Sequence, residues 1–210
     1  MMLTVTNVVA GYGAHDEVLK GVGLKDLDTE TEAKGDEEAR HPVVFLGFFR
    51  DASSILYEFE HEGDVEESKA FIEKIQVIDF NPTVMRELGR KGIKCVYGDI
   101  AHADTLRHAS IENAELVISS ITDDILRGTS NLRMLKNIHA ACPKAKVMLT
   151  TEHIPQALHF YEAGADYVYI PRLQSAPLLA RTLKEGLQDG FKTAREADIE
   201  QLKNRHEVLA

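Results

Sequence analysis

A short segment that joins an apolar strand to a helix has the residue pattern with the most chemical content. Residues 42–47 are mostly apolar and predict a buried parallel strand. The next residues take the place of the G-x-G-x-x-G/A turn that binds a pyrophosphate. Gly47 and Ala52 match the first and third positions, whereas Phe49 replaces the second glycine. The pattern predicts a phosphate site formed by Gly47, Phe48, Phe49, Arg50, Asp51 and Ala52.

Phe49 affects which phosphate groups the turn can accept. The second glycine normally lets the backbone approach a pyrophosphate, and phenylalanine places a Cβ and a ring there, so diphosphate binding is at risk. The helix that begins near Asp51 still directs its N-terminal amides toward the ligand side, which favours an anion. Arg50 either adds charge to that attraction or pairs with a neighbouring acid such as Glu58.

A second strand ends on a carboxylate of the type that binds ribose hydroxyls. Residues 74–79 are β-rich and end at Asp79. The distance from Gly47 is 32 positions (79 − 47), against about 20 in the usual motif. Residues 63–68, which are rich in acids, are interpreted as the surface insertion responsible for the extra length.

These two strands belong to a longer alternation of strands and helices. Strands are predicted at 42–48, 75–80, 94–97, 115–120, 146–150 and 167–170. Helices are predicted at 51–62, 82–91, 104–109, 125–141 and 155–163. The fold class is therefore α/β: a Rossmann-like, doubly wound, six-stranded and mainly parallel sheet with a C-terminal helical extension.

Composition divides the 210 residues into one domain with two appendages. Residues 1–40 are expected to form an irregular linker or connector, residues 41–186 the nucleotide-binding domain and residues 187–210 a C-terminal helix. The net charge of −10 opposes binding to nucleic acid or anionic lipid. No run of 18 apolar residues and no signal sequence is present, so a cytoplasmic location is expected.

The segment 176–209 is expected to be helical with an interrupted apolar stripe. As far as about Leu187 we expect this stripe to pack on the chain's own sheet. Beyond Gly190 a partner chain and a projecting end are comparable alternatives.

Residues for catalysis or metal binding form no recognisable constellation. None of the tyrosines at 57, 97, 161, 167 and 169 is followed four positions later by lysine, and neither a Walker motif nor Gly-x-Ser-x-Gly occurs. Asp123 and Asp124 could suggest a metal pair, but adjacent acids near a helix start are more often caps. The histidines lack metal-ligand spacing, so we expect no metal and no enzyme activity.

Several segments together resemble one family. The turn at 44–50, Val77-Ile-Asp-Phe-Asn-Pro82, Val96-Tyr-Gly-Asp-Ile100, the segment 116–124, Asn131-Leu132 and 163–167 occur in the order found in RCK domains, also called TrkA-N or KTN. The resemblance covers about residues 42–186 and is strongest to the C-terminal domain of Kef-type cation/proton antiporters.

The resemblance implies a ligand and its contacts. Such domains bind an adenine nucleotide, and here AMP or NAD(H) is expected first, with ADP and ATP as further possibilities. Because the Phe49 side chain opposes binding of a diphosphate, AMP is favoured over NAD as the expected ligand. By position in the family, Asp79 corresponds to the ribose-binding acid and Asp99 to the residue near the adenine edge. The remaining expected contacts are Phe80 and Asn81 beside the adenosine, Ile100 next to Asp99, and Ser120, Ile121 and Thr122 in the closing loop.

The resemblance also implies partners. Family members regulate a potassium channel or transporter whose membrane unit lies in the same chain or in a separate subunit, and they form homodimers by exchanging a helix that here begins near Leu173. Residues 21–28 resemble the connector that follows the membrane part, so the chain is expected to be the soluble part of an inner-membrane transport protein. Two alternatives stay open: a fragment of an NAD(P)-dependent oxidoreductase, and a degenerate interaction module whose nucleotide site is filled by Phe49.

Overall fold

A computed structural model of the chain describes residues 41–61 and 63–209. Its centre is a sheet of six parallel strands in the order β3-β2-β1-β4-β5-β6. All six predicted strands are present, so the predicted sheet is confirmed. The strands are β1 (Val43–Leu46), β2 (Ile75–Asp79), β3 (Lys94–Tyr97), β4 (Leu116–Ser119), β5 (Lys146–Thr150) and β6 (Tyr167–Tyr169).

Helices connect consecutive strands, as a parallel sheet requires. None of the helices in the described part of the chain is long and apolar enough to cross a bilayer. The helices are α1 (Arg50–His61), α2 (Val65–Ile72), α3 (Pro82–Arg90), α4 (Ala103–His108), α5 (Asn131–Ala141), α6 (Ile154–Glu162), α7 (Pro171–Asp189) and α8 (Lys192–Asn204).

Alternation along β1 assigns the helices to the two faces of the sheet. Val43 and Phe45 point into one apolar layer, together with side chains of α1, α2 and α3, and Val44 and Leu46 point into the other, with α4, α5 and α6. From β3 the chain returns to β4 beside β1, so the strand order reverses between β1 and β4. A crevice at the carboxyl ends of these two strands is where doubly wound sheets bind ligands.

The acidic segment after α1 lies at the surface and leads into a helix that the sequence did not predict. Residues 63–68 lead into α2, where Asp64 accepts a hydrogen bond from the Glu66 amide (2.7 Å) as N-cap. Phe71 packs against Phe59 with ring centroids 4.7 Å apart. An aromatic contact and a cap therefore support a helix in a segment whose composition indicated only a surface position.

The predicted helix at 125–141 begins six residues too early. Helix α5 starts at Asn131, and residues 125–130 form turns and bends. Gly128 has a positive φ of 72°, which interrupts a right-handed helix, and Ser130 Oγ accepts a hydrogen bond from the Arg133 amide (3.3 Å) as N-cap.

The C-terminal apolar stripe does not pack on the sheet up to Leu187, so this prediction is wrong. Leu183 is 51% and Leu187 is 88% exposed on α7. Periodicity identifies an apolar face but not the surface that covers it. The predicted boundary between 186 and 187 falls inside α7, and the helical break lies at Gly190, with φ of 74°. The predicted linker at 1–40 lies outside the described residues.

Asp166 links the start of β5 to the start of β6, and its ionisation makes the stability of the fold depend on pH. It accepts hydrogen bonds from the Val147 amide (2.9 Å) and Lys146 Nζ (3.1 Å). The hydrogen bond from the Val147 amide is the main reason why the pKa of Asp166 is lowered. A carboxylate with a lowered pKa stabilises the fold above its unfolded pKa of about 3.9, and this contribution is lost as the pH falls through the folded pKa.

We therefore expect Asp166→Asn to lower the free energy of unfolding at pH 7. The expected loss is only about 1 kcal/mol, because solvent screens the interactions of a partly exposed carboxylate. Urea unfolding of both proteins should give a difference that narrows as the pH is lowered from about 5 to 2. Asp198→Asn, on the exposed α8, is the matched control and should have little effect. A difference that is constant over this pH range would contradict the ionic contribution.

Candidate functional site

The turn after β1 is closely packed at the two positions that match the glycine motif, Gly47 and Ala52. Gly47 has a φ of 72°, and its amide donates to Ile78 O of β2 (2.8 Å). A Cβ on Gly47 would overlap Ile121 Cδ1 and lie 3.3 Å from Ile100 Cδ1. Ala52 is fully buried where α1 meets the sheet. The turn therefore needs glycine at 47 and a small residue at 52.

The two phenylalanines of the turn have different environments. Phe48 is buried in the layer that contains α1, whereas Phe49 is 37% exposed. The Arg50 guanidinium carbon lies 5.6 Å from the centre of the Phe49 ring. The predicted alternative partner of Arg50, Glu58, instead pairs with Arg205 (2.8 Å). The second glycine position thus carries a ring at the surface with a cation beside it.

Asp79 lies directly beside the turn despite the long spacing in sequence. Leu46 of β1 is in register with Ile78 of β2, so the next residue of each strand lies at the same edge. Asp79 Oδ2 accepts a hydrogen bond from the Phe48 amide (2.7 Å), and Oδ1 accepts one from the Asn81 amide (2.6 Å). The carboxylate ties the end of β2 to the turn.

Burial raises the pKa of Asp79, and the hydrogen bonds from the Phe48, Asn81 and Phe80 amides oppose that rise. Only 6% of the residue is exposed. A buried carboxylate at this edge with lone pairs beyond those used by the amides is suited to accept hydrogen bonds from ligand hydroxyls.

The two residues after Asp79 have different roles. Phe80 is 62% exposed and presents a ring beside the crevice edge. Asn81 is the N-cap of α3, and its Oδ1 accepts a hydrogen bond from the Thr83 amide (3.0 Å). The Asn81 side chain is therefore engaged locally, while Phe80 is available to contact a ligand.

Asp99 forms a local turn after β3. Its Oδ1 accepts a hydrogen bond from the Ala101 amide (2.8 Å), and its carbonyl oxygen accepts one from Thr105 Oγ1 (2.8 Å). The preceding Gly98 amide donates to Asp79 O (3.0 Å), which brings the turn next to the end of β2. The exposed Asp99 carboxylate thus shapes its own turn beside the end of β2, while Ile100 is buried against Gly47.

The loop after β4 packs against the turn after β1. Ser120 is 4% exposed, and its hydroxyl has no hydrogen-bond partner among the described residues; the same holds for Ser119 of β4. Ile121 is half-buried and packs on Gly47, and the Thr122 carbonyl oxygen accepts a hydrogen bond from the Ile125 amide (3.0 Å). Unpartnered buried hydroxyls at a ligand edge are candidate ligand contacts.

A buried polar network that was not predicted holds this loop. Asn131 is fully buried, and its Nδ2 donates to Ile121 O (2.8 Å) and Asp123 Oδ1 (2.9 Å). Gln156 Nε2 donates to Asp123 Oδ2 (2.7 Å). Asp123 also accepts from the Asn131 amide (2.7 Å), so it caps α5 from eight residues upstream. The cap interpretation of Asp123 indicated part of this network, whereas Gln156 had no local signal.

The charge around the start of α1 is mixed. Burial raises the pKa of Asp51, and the nearby negative charge of Glu152 adds to that rise. These two acids weaken the attraction of the helix start for a phosphate, and Arg50 is the adjacent cation that offsets them. Among the described residues, no group of three or more His, Cys, Asp or Glu side chains is placed to hold a metal ion.

Comparison with known proteins identifies the family. The sequence model of the TrkA-N domain matches residues 62–171. The chain belongs to the TrkA-N family. The matched span runs from the end of the α1 region to the start of α7 and contains Asp79, Asp99 and the β4 loop, whereas the turn at 47–52 lies before it.

Curated relatives of this TrkA-N domain are much longer than the chain. It is similar to the glutathione-regulated potassium-efflux system protein KefC of Cronobacter sakazakii, with 26% identity over 136 residues, which are 64% of this chain and 21% of that protein. The KefC protein of Enterobacter sp. strain 638 is 27% identical over 127 residues, 60% of this chain and 20% of the relative. The chain spans about a fifth of the length of these relatives.

Solved structures share the fold of this TrkA-N domain at low identity. The TrkA-N domain of the Escherichia coli inner membrane protein ybaL has a TM-score of 0.57 and 18% identity, covering 70% of this chain and 99% of that one. The Shewanella denitrificans Kef CTD in AMP-bound form has a TM-score of 0.50 and 18% identity, covering 77% and 91%. The GsuK channel bound to NAD has a TM-score of 0.50 and 16% identity, covering 70% and 24%.

Proposed function

We propose that this TrkA-N domain senses an adenine nucleotide and regulates a potassium or other monovalent cation/proton antiporter, or a related potassium transport system, without catalysing a reaction. The buried carboxylate of Asp79, hydrogen-bonded to the Phe48 amide, carries the proposal. It lies at the end of β2, beside the turn that follows β1, and its chemistry suits ribose hydroxyls. The similarity to KefC proteins supports the link to potassium transport.

AMP is the ligand that we propose first, with NAD(H) next and ADP or ATP after them. The Kef CTD structure with AMP and the GsuK structure with NAD support an adenine nucleotide. Two features disfavour a second phosphate. One is the side chain of Phe49 at the second glycine position, and the other is the negative charge of Asp51 and Glu152. In the bound state we place the ribose at Asp79 and the adenine near Phe80 and Asp99.

The proposed regulation is differential binding of the nucleotide to two arrangements of a homodimer. The exposed apolar side chains of α7, which include Leu173, Leu178 and Leu183, support a partner surface on this helix. The membrane unit, in the same native chain or in a separate subunit, would respond to the change on the cytoplasmic side. Nucleic acid is not a proposed partner, because the net charge is −10.

One observation favours a second candidate, an interaction module without a nucleotide. Ile121 and Ile100 pack on Gly47, so apolar side chains already occupy the space next to the turn. This candidate predicts an assembly that no nucleotide changes. The oxidoreductase alternative predicts turnover of a nicotinamide cofactor, and no observation favours it.

Calorimetric titration of the purified chain with AMP, ADP, ATP, NAD and NADH tests the proposal. We expect AMP to bind most tightly and 2′-deoxy-AMP to bind more weakly than AMP, because Asp79 would lose a ribose hydroxyl. Light scattering with and without AMP would report the dimer. Absence of binding by all five nucleotides would reject nucleotide sensing, and a monomer under both conditions would reject the dimer mechanism.

A further inference from the structure

The last described residues of the chain return to helix α1. After α8 ends, Arg205 Nη1 donates to Glu58 Oε1 (2.8 Å), and its guanidinium carbon lies 4.1 Å from the centre of the Tyr57 ring. Arg205 also pairs with Glu207. Its side chain is 19% exposed, which is low for an arginine. The contacts fix Arg205 against the middle of α1.

A second set of contacts reaches the start of α1. Ser54 Oγ donates to the two carboxylate oxygens of Glu207 (2.9 and 3.1 Å), and the Leu209 amide donates to Ser53 Oγ (2.8 Å). Val208 and Leu209 pack against the apolar layer that contains α1. Polar and apolar contacts therefore act together at four of the five residues 205–209, as in a specific docking segment.

The preceding helices lack comparable burial. Leu187 of α7 is 88% exposed and Leu202 of α8 is 67% exposed. The residues 205–209 thus dock on α1 although the two helices that lead to them are mostly exposed. Such an attachment at the end of an exposed arm can open without disrupting the sheet core.

We propose that residues 205–209 are a latch that docks reversibly on α1 of the same chain and that docking is coupled to ligand occupancy of the turn at 47–52. The coupling rests on the nucleotide binding proposed above. Ser53 accepts a hydrogen bond from Leu209 of the latch. Its own amide donates a hydrogen bond to Phe49 O (2.9 Å), so Ser53 belongs to the first turn of α1. The N-terminal amides of that turn face the proposed phosphate. By linkage, a docked latch strengthens nucleotide binding and a bound nucleotide strengthens docking.

The test compares Glu207→Ala with Glu200→Ala in the full chain. Both variants lose one carboxylate near the C-terminus, but Glu200 contacts only Asn204 of its own helix in the described contacts. We expect Glu207→Ala to lower AMP affinity by about fivefold or more, and to increase hydrogen exchange in the first turns of α1. Glu200→Ala should match wild type. Ser54→Ala should reproduce the effect of Glu207→Ala. The double variant should bind AMP no more weakly than either single variant.

Each other outcome rejects a defined part of the proposal. Protection of α1 that disappears when the protein is diluted would show docking on a second copy and overturn a latch within one chain. Equal AMP affinities of the Glu207→Ala and Glu200→Ala variants, beside a wild type that binds AMP, would overturn the coupling while the proposed function stands. A wild type that binds no adenine nucleotide would reject the proposed function, and the coupling with it.

Discussion

Replacing Asp79 with alanine is expected to lower the affinity for AMP by about 30-fold or more, since hydrogen bonds to a charged group contribute about 1.5–3 kcal/mol. Two losses combine in this variant. The ribose hydroxyls lose their proposed acceptor, and the buried Phe48 amide loses the partner that holds the turn (2.7 Å). Calorimetric titration of wild type and variant with AMP measures the change.

A nucleotide analogue and a conservative variant separate these losses. Wild type should prefer AMP to 2′-deoxy-AMP, and Asp79→Ala should show little preference, because the residue that reads the hydroxyl is gone. Asp79→Asn keeps an acceptor for the Phe48 amide and should bind with intermediate affinity. Circular dichroism checks that each variant is folded. If Asp79→Ala binds AMP as tightly as wild type, the ribose site has been placed wrongly.

Replacing Gly47 with alanine is expected to lower the free energy of unfolding by about 2–4 kcal/mol and to abolish nucleotide binding. The positive φ of 72° is unfavourable for alanine, and the new Cβ would overlap Ile121 Cδ1. Relief of that overlap requires the β4 loop to move, although the Asn131 network holds it. Urea unfolding and AMP titration measure the two effects.

Gly128 provides a matched control for the conformational part of this effect. It has the same φ of 72°, but a Cβ there would meet only Ala101 Cβ at 3.9 Å. Gly128→Ala should therefore cost about 1–2 kcal/mol, and the excess cost at Gly47 measures the contact with Ile121. Ile121→Ala should recover part of that excess in the Gly47→Ala background. Equal losses at both glycines, with no recovery, would show that Ile121 does not pack on the turn.

Local patterns were sufficient to predict the sheet and to bring Gly47 and Asp79 to the same edge of it. Gly47 follows the end of one β-rich strand and Asp79 ends the next. Parallel neighbours bring their carboxyl ends together, so a spacing of 32 residues did not separate the two in space. The role of Asp79 in holding the Phe48 amide was not predictable, because it depends on the exact approach of the turn to β2.

Contacts between distant residues account for what the sequence did not indicate. Asn131 and Gln156 meet Asp123 across 8 and 33 positions, and no periodicity encodes such a network. The sequence predicts that the stripe on α7 packs on the sheet, because an apolar helical face usually packs within its own domain. The leucines of α7 are exposed instead, so the apolar pattern alone did not identify what the helix packs against.

The length of α7 determines how far its free end moves when its base rotates in the proposed switch. Its 19 residues extend about 28 Å, at about 1.5 Å per residue. Ile170, immediately before it, is buried in the core, so the helix is fixed at its base. From helix geometry alone, a rotation of about 10° at that base displaces the far end by about 5 Å. A change too small to alter the sheet can thus become a movement as large as one helical turn.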